Sequence, residues 1–149
     1  MFIKEAEWLR ARLAEIRDED LFPLLDVGSQ TLQFRMVQQP HVDQELFSPL
    51  RERGGRIIHL DLQDAEGVDV VGNLTDSEFQ ESLRSLGVRS IIISNLLEHV
   101  RHRASVAEAS LRVVKSGGYV IVTGPKDYPY HPDPIDTMFR PTGRAALDR

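Results

Sequence analysis

Ser90-Ile91-Ile92-Ile93-Ser94 is a run whose three inner positions are all β-branched and apolar. No polar residue interrupts it to mark a wet face, so it is expected to be covered on both sides, as strands of a parallel sheet are. Upstream, Thr75-Asp76-Ser77-Glu78 has the spacing of a capping box and opens a helix with Phe79, Leu83 and Leu86 on one face. Gly87 is placed to stop that helix. Downstream, Ser105-Val106-Ala107-Glu108 repeats the capping spacing and is expected to start a helix running to Lys115. Gly117-Gly118 then turns the chain into Tyr119-Val120-Ile121-Val122-Thr123, the next strand.

Further out the alternation continues. Ile3, Ala6, Leu9, Leu13 and Ile16 form one helical stripe, with Trp8 beside it expected to help dock the helix. Phe22-Pro23-Leu24-Leu25-Asp26-Val27-Gly28 reads as a buried strand closed by a tight turn. Arg56 to Leu62 is a second strand and Val68 to Gly72 a shorter third. Between the first and second strands, Ser29 to Gly55 is interrupted by Pro40 and Pro49, and only Ser48 to Glu52 has the start signals of a short helix. Five of the eight prolines fall after Gly124, which marks a loop-rich tail.

Strands alternating with helices predict an α/β fold: a Rossmann-like, doubly wound, mostly parallel sheet of about five strands. One domain is expected over residues 1–149, with an N-terminal helix to residue 20, a binding core over 21–125 and the tail over 126–149.

Composition narrows the function. The chain is 41% hydrophobic and 28% charged, as globular proteins are, and its net charge of -5 argues against a nucleic-acid partner. It has no cysteine, which removes disulfides and thiolate metal sites. The charged N-terminus is not a signal peptide, and no run is long enough to span a bilayer. A soluble, cytoplasmic protein with no membrane partner is expected.

In such a sheet, ligands bind beyond the carboxyl ends of the strands, where the strand order reverses. The residues there are Gly28-Ser29, Asp61, Asn73-Leu74, Ser94-Asn95 and Gly124-Pro125. A carboxylate at the position of Asp61 can accept both hydroxyls of a ribose, or it can be an ordinary solvated acid. Gly28 permits close backbone approach, or simply makes a turn. Gly28 is followed by Ser29, Gln30 and Thr31, so the phosphate-binding glycine fingerprint is absent and a nicotinamide-dependent oxidoreductase is disfavoured.

LLDVGS (24–29), HLDL (59–62), VVGNLTD (70–76), IIISNLLEHV (91–100) and LRVVKSGGYVIVTGP (111–125) stand in an order and spacing that resembles the class I S-adenosylmethionine-dependent methyltransferases. The tail PYHPDPIDTMFRPT (129–142) resembles a subgroup associated with sugar and glycan pathways. The resemblance implies S-adenosylmethionine as cofactor, contacted by Asp26 and Gly28 at its methionine moiety, Asp61 at the ribose and Asn73 and Leu74 at the adenine. Asn95 would floor the methyl-donor pocket. It also implies seven strands ending in a hairpin. Five are counted here, so the sheet is expected to be shortened and strand 119–123 to lie at an edge, where a homodimer could form.

The expected activity is methyl transfer to a small-molecule or glycan-type acceptor. The alternative is a methyltransferase-like binding or scaffold module without turnover, favoured by the degenerate glycine loop. If the acceptor is a hydroxyl, a histidine base is the usual partner, and His131 and His99 are the candidates. Each has a plainer reading: His99 can join Glu98 in bonding neighbouring loops, and His131 can be a solvated loop residue. Tyr128, Tyr130, Phe139 and Arg140 either shape the acceptor pocket or pack the tail against the sheet. A metal at His131, Asp133 and Asp136 matches no rigid ligand spacing, so no metal is expected.

Overall fold

The computed structural model describes residues 1–132 and 135–141. Helix α1 (Ile3–Ala14) and the single turn α2 (Asp18–Leu21) precede strand β1 (Leu24–Val27). A nearly continuous helical stretch follows: a π-helical turn Phe34–Gln38, α3 (Pro40–Val42), a second π-helical turn Asp43–Phe47 and α4 (Ser48–Glu52). Then come β2 (Ile57–Asp61), β3 (Val70–Val71), α5 (Ser77–Ser85) and β4 (Ser90–Ser94). A 3-10 turn (Leu97–His99), α6 (Arg103–Val113) and β5 (Tyr119–Thr123) complete the core.

The five strands form one sheet in the order β3-β2-β1-β4-β5, every neighbouring pair parallel. The fold is therefore the expected Rossmann-like α/β arrangement, with the order reversing between β1 and β4. Alternate side chains feed two cores. Leu25, Val27, Ile58, Leu60, Ile91 and Ile93 pack on one face with Leu83 of α5 and Val106, Ala109 and Val113 of α6. Leu24 and Ile92 pack on the other with Leu9 and Leu13 of α1 and with Val42, Leu46, Phe47 and Leu50. Burial on both faces is why Ile91, Ile92 and Ile93 can sit side by side with none reaching water.

Four local expectations are corrected. The stretch after β1 is helical over most of Phe34–Glu52, because its prolines stand at the first turns of α3 and α4, where the missing N–H is not needed. The first capping signal works one residue later than its spacing suggests: Asp76 accepts from the Glu78 and Phe79 amides at 2.9 and 3.0 Å. The second does not cap at all, since α6 already begins at Arg103 and Ser105 lies inside its first turn. Trp8 is half exposed and no part of the docking stripe. β5 is an edge strand, as expected, with Tyr119 and Val122 about half exposed. No helix among the described residues is long and apolar enough to cross a membrane.

Candidate active site

Every strand runs the same way, so all five carboxyl ends open on one rim of the sheet. Gly28 ends β1 with φ +74°, a conformation open to glycine at no steric cost. The space above it is taken by Leu96, whose Cδ1 would lie 2.9 Å from a Cβ at residue 28. Across from this turn, Asp61 closes β2 and faces the same loop. Its Oδ2 accepts from the Gln30 amide at 2.9 Å and its Oδ1 from the Gln63 amide at 3.2 Å. Two bonds leave an ionised carboxylate about two free acceptor positions.

The loop between β1 and the helical stretch is set by a residue that nothing in the sequence singled out. Arg35 is 2% exposed and donates to the carbonyls of Ser29 at 2.9 Å, Gln30 at 2.6 Å and Gly67 at 2.6 Å. Burial pulls its pKa below the usual arginine value, and the Asp26, Asp43 and Asp69 carboxylates push back. Asp26 is itself buried and pairs with His59 Nδ1 at 2.9 Å, directly across the β1–β2 ladder. Its carboxylate is thus engaged inside the sheet layer.

Asn73 is exposed and makes a local turn, its Oδ1 accepting from the Thr75 amide at 3.0 Å and hydroxyl at 2.9 Å. Leu74 is a core residue packed with Leu60 and Leu83. Asn95 follows β4 with φ +50°, and its Nδ2 donates to Glu5 Oε1 at 2.8 Å. That bond ties the start of α1 to the rim. Beside it, the Ser94 and Thr123 hydroxyls are buried without a hydrogen-bond partner among the described residues. Buried polar atoms are nearly always satisfied, so these two have capacity for a ligand.

An open cleft of about 1200 Å³ lies at this end, lined by Phe2, Glu5, Trp8, Asn95, Thr123 and Gly124 among others. Of the expected cofactor residues it gathers Asn95 alone. Gly28, Asp61, Asn73 and Leu74 do not line it. The rim therefore has two parts: a β1–β2 part organised by Asp61 and Arg35, and a β4–β5 part organised by Asn95 and Glu5.

The tail docks beside the second part. The Glu98 carbonyl accepts from the Thr137 amide at 2.8 Å and hydroxyl at 3.0 Å, and the Arg103 guanidinium lies 4.3 Å from the centre of the Phe139 ring. Asp136 has no exposed side-chain surface and binds Arg140 at 2.6 Å and the His131 amide at 3.1 Å. The Arg140 hydrogen bond holds its carboxyl well below the usual carboxylate range. Phe139 and Arg140 thus pack the tail, while Tyr130 stays exposed and Tyr128 sets its ring edge-on to His131 at 4.8 Å. The two candidate bases come together: the His99 and His131 rings are T-shaped with centroids 5.0 Å apart. Asp136 is held by Arg140, and Asp133 lies outside the described residues, so the set His131, Asp133 and Asp136 is not assembled as a ligand group in what is described.

No family model matches the chain, and no curated protein matches it. The case for function rests on the rim itself.

Proposed function

We propose that this chain binds S-adenosylmethionine and transfers its methyl group to a small-molecule or glycan-type acceptor. The observation that carries the reading is Asp61: an acid at the tip of β2, held by Gln30 against the loop after β1, beside the crossover of an all-parallel sheet. The donor, when bound, supplies a methyl group on a sulfonium that already has a good leaving group. The chain's own part is to hold, align and exclude water. In this reading the free lone pairs of Asp61 take the ribose hydroxyls, and Gly28 lets backbone approach. Asn95 and Thr123, which line the cleft, would stand at the reacting end. His99 and His131 each have Nδ1 committed, which leaves Nε2 to take a proton from an acceptor hydroxyl.

A second reading, a binding or scaffold module without turnover, is favoured by a specific contact set. Leu96 covers Gly28, and Asn95 is already tied to Glu5. Both must yield for a cofactor to span the rim. The exposed edge of β5 suits a second copy of the chain in either case.

Calorimetry with S-adenosylmethionine, S-adenosylhomocysteine and NAD separates these readings. Saturable binding of the first two and none of the third is expected. Asp61→Ala should weaken binding about 10–100-fold, the loss of one or two bonds to a charged acceptor. Binding without methyl transfer to any acceptor in a broad panel would favour the scaffold reading. Absence of saturable binding at about 1 mM, equivalent to a free energy weaker than roughly -4 kcal/mol, would overturn both the cofactor and its role.

A further inference from the structure

Glu98, His99 and His131 bring one ligand atom each to within 4.8 Å of one another. Glu98 is 2% exposed, and the positive charges that feel its carboxylate are the Met1 ammonium, bonded to Gln39, and the Arg140 guanidinium. Arg140 is close enough to feel that charge, yet its donors go to Asp136 and to the Tyr128 and Pro129 carbonyls. A buried carboxylate whose neighbouring cations are bonded elsewhere keeps lone pairs available to a further cation.

The histidines are oriented to supply ligands for one. His99 Nδ1 lies 2.6 Å from the Ile135 carbonyl oxygen, which only accepts, so Nδ1 carries the proton. In the neutral ring, Nε2 then presents a lone pair, and it faces Glu98 Oε1 at 4.0 Å. An acceptor set against an acceptor is repulsive unless a positive charge stands between them. His131 repeats the pattern. Its Nδ1 donates to the Pro129 carbonyl at 3.1 Å, with Asp136 Oδ2 3.0 Å away, which leaves Nε2 as the ligand atom. Histidine fixed through Nδ1 by a carbonyl or a carboxylate is the usual second layer of a metal site.

From this convergence we infer that Glu98, His99 and His131 bind a divalent transition metal of the zinc class, with a fourth coordination position open to water or to an acceptor oxygen. Two imidazoles and a carboxylate are a ligand set of the zinc-dependent catalytic type. Bonds of about 2.0–2.2 Å place tetrahedral ligand atoms roughly 3.3–3.5 Å apart, so the present spacing needs to close by about 1 Å. His131 belongs to the tail and the other two ligands to the turn after β4, so the ion would pin the tail to the rim. The inference does not depend on the methyl-donor reading. With the ion bound, a metal-held water and not a free imidazole would serve as the base, so the two histidines change role while that of Asp61 is untouched.

The test is metal binding by the full chain, stripped with a chelator, using Zn²⁺ in calorimetry and Co²⁺ in visible absorption. One equivalent is expected, with the Co²⁺ band intensity of a four- or five-coordinate site. His131→Ala, on a partly exposed side chain, and the isosteric Glu98→Gln should each weaken binding at least about 10-fold with unchanged circular dichroism. His102→Ala, on an exposed neighbour, should not. Failure to bind one equivalent at about 100 μM overturns the site. So does a His131→Ala isotherm equal to the parent's, which would leave a protonated imidazole beside Glu98 as the cation.

Discussion

Arg35→Met is expected to destabilise the fold by about 3–5 kcal/mol, the range for removing one side of a buried charged network. Three carbonyls, from Ser29, Gln30 and Gly67, lose their donor together. A hydrogen bond to a charged partner contributes roughly 1.5–3 kcal/mol, and the three are not additive because they share one guanidinium. The carboxylates of Asp26, Asp43 and Asp69 would also lose the positive charge they act on. Methionine fills a similar volume, so cavity formation is a small part of the effect. Lysine should recover only a fraction, since one ammonium cannot span a fork of three acceptors. Urea unfolding of the three proteins, read by midpoint at constant slope, measures this directly. The site is affected too. The Gln30 carbonyl held by Arg35 and the Gln30 amide held by Asp61 belong to one residue, so releasing the first loosens the second.

Why Arg35 was invisible in the sequence, while the strands were plain, follows from what each depends on. Ser90–Ser94 and Tyr119–Thr123 are local signals: strands of a parallel sheet read as near-continuous apolar runs, and the structure has both at the residues their pattern gives, the first buried and the second half-covered at the edge. β1 is shorter than its run because Phe22 and Pro23 precede the ladder, and β3 shrinks to Val70–Val71 at the sheet edge. Residues 29–55 carried no legible period because two π-helical turns interrupt the 3.6-residue repeat, so apolar spacing drifts across the helical faces. Arg35 sits in that stretch. At the rim, the strand tips could be placed from topology alone. Their partners could not: Glu5 reaches Asn95 across 90 residues, and His131 meets His99 through the docking of a proline-rich tail. Leu74 shows the converse error, a strand-tip position whose side chain belongs to the core.

The adjacent glycines before β5 should separate two reasons for being glycine. Gly117 has φ +79° and nothing within 4 Å of where a Cβ would stand. Alanine there meets only the left-handed backbone penalty, about 1–2 kcal/mol. Lower entropy in the unfolded chain offsets about 0.4–1 kcal/mol of it, so Gly117→Ala should cost about 1 kcal/mol. At Gly118 the backbone angle is not the obstacle. A Cβ would fall closer than 3.0 Å to the Arg89 carbonyl oxygen, the Val114 side chain and the Lys115 carbonyl oxygen. Arg89 is not free to retreat: its carbonyl accepts the Tyr119 amide at 3.2 Å, and its amide bonds the Pro23 carbonyl at 2.9 Å. Relief must come from moving backbone that joins β1, β4 and β5. Gly118→Ala is therefore expected at or above the top of the roughly 1–3 kcal/mol that overpacking costs, and several times the effect at Gly117. Amide hydrogen exchange should show the loss first at Tyr119 and Ile121, whose amides point across to β4, that of Tyr119 to the Arg89 carbonyl. Equal effects at the two glycines would mean that backbone angle alone governs this turn.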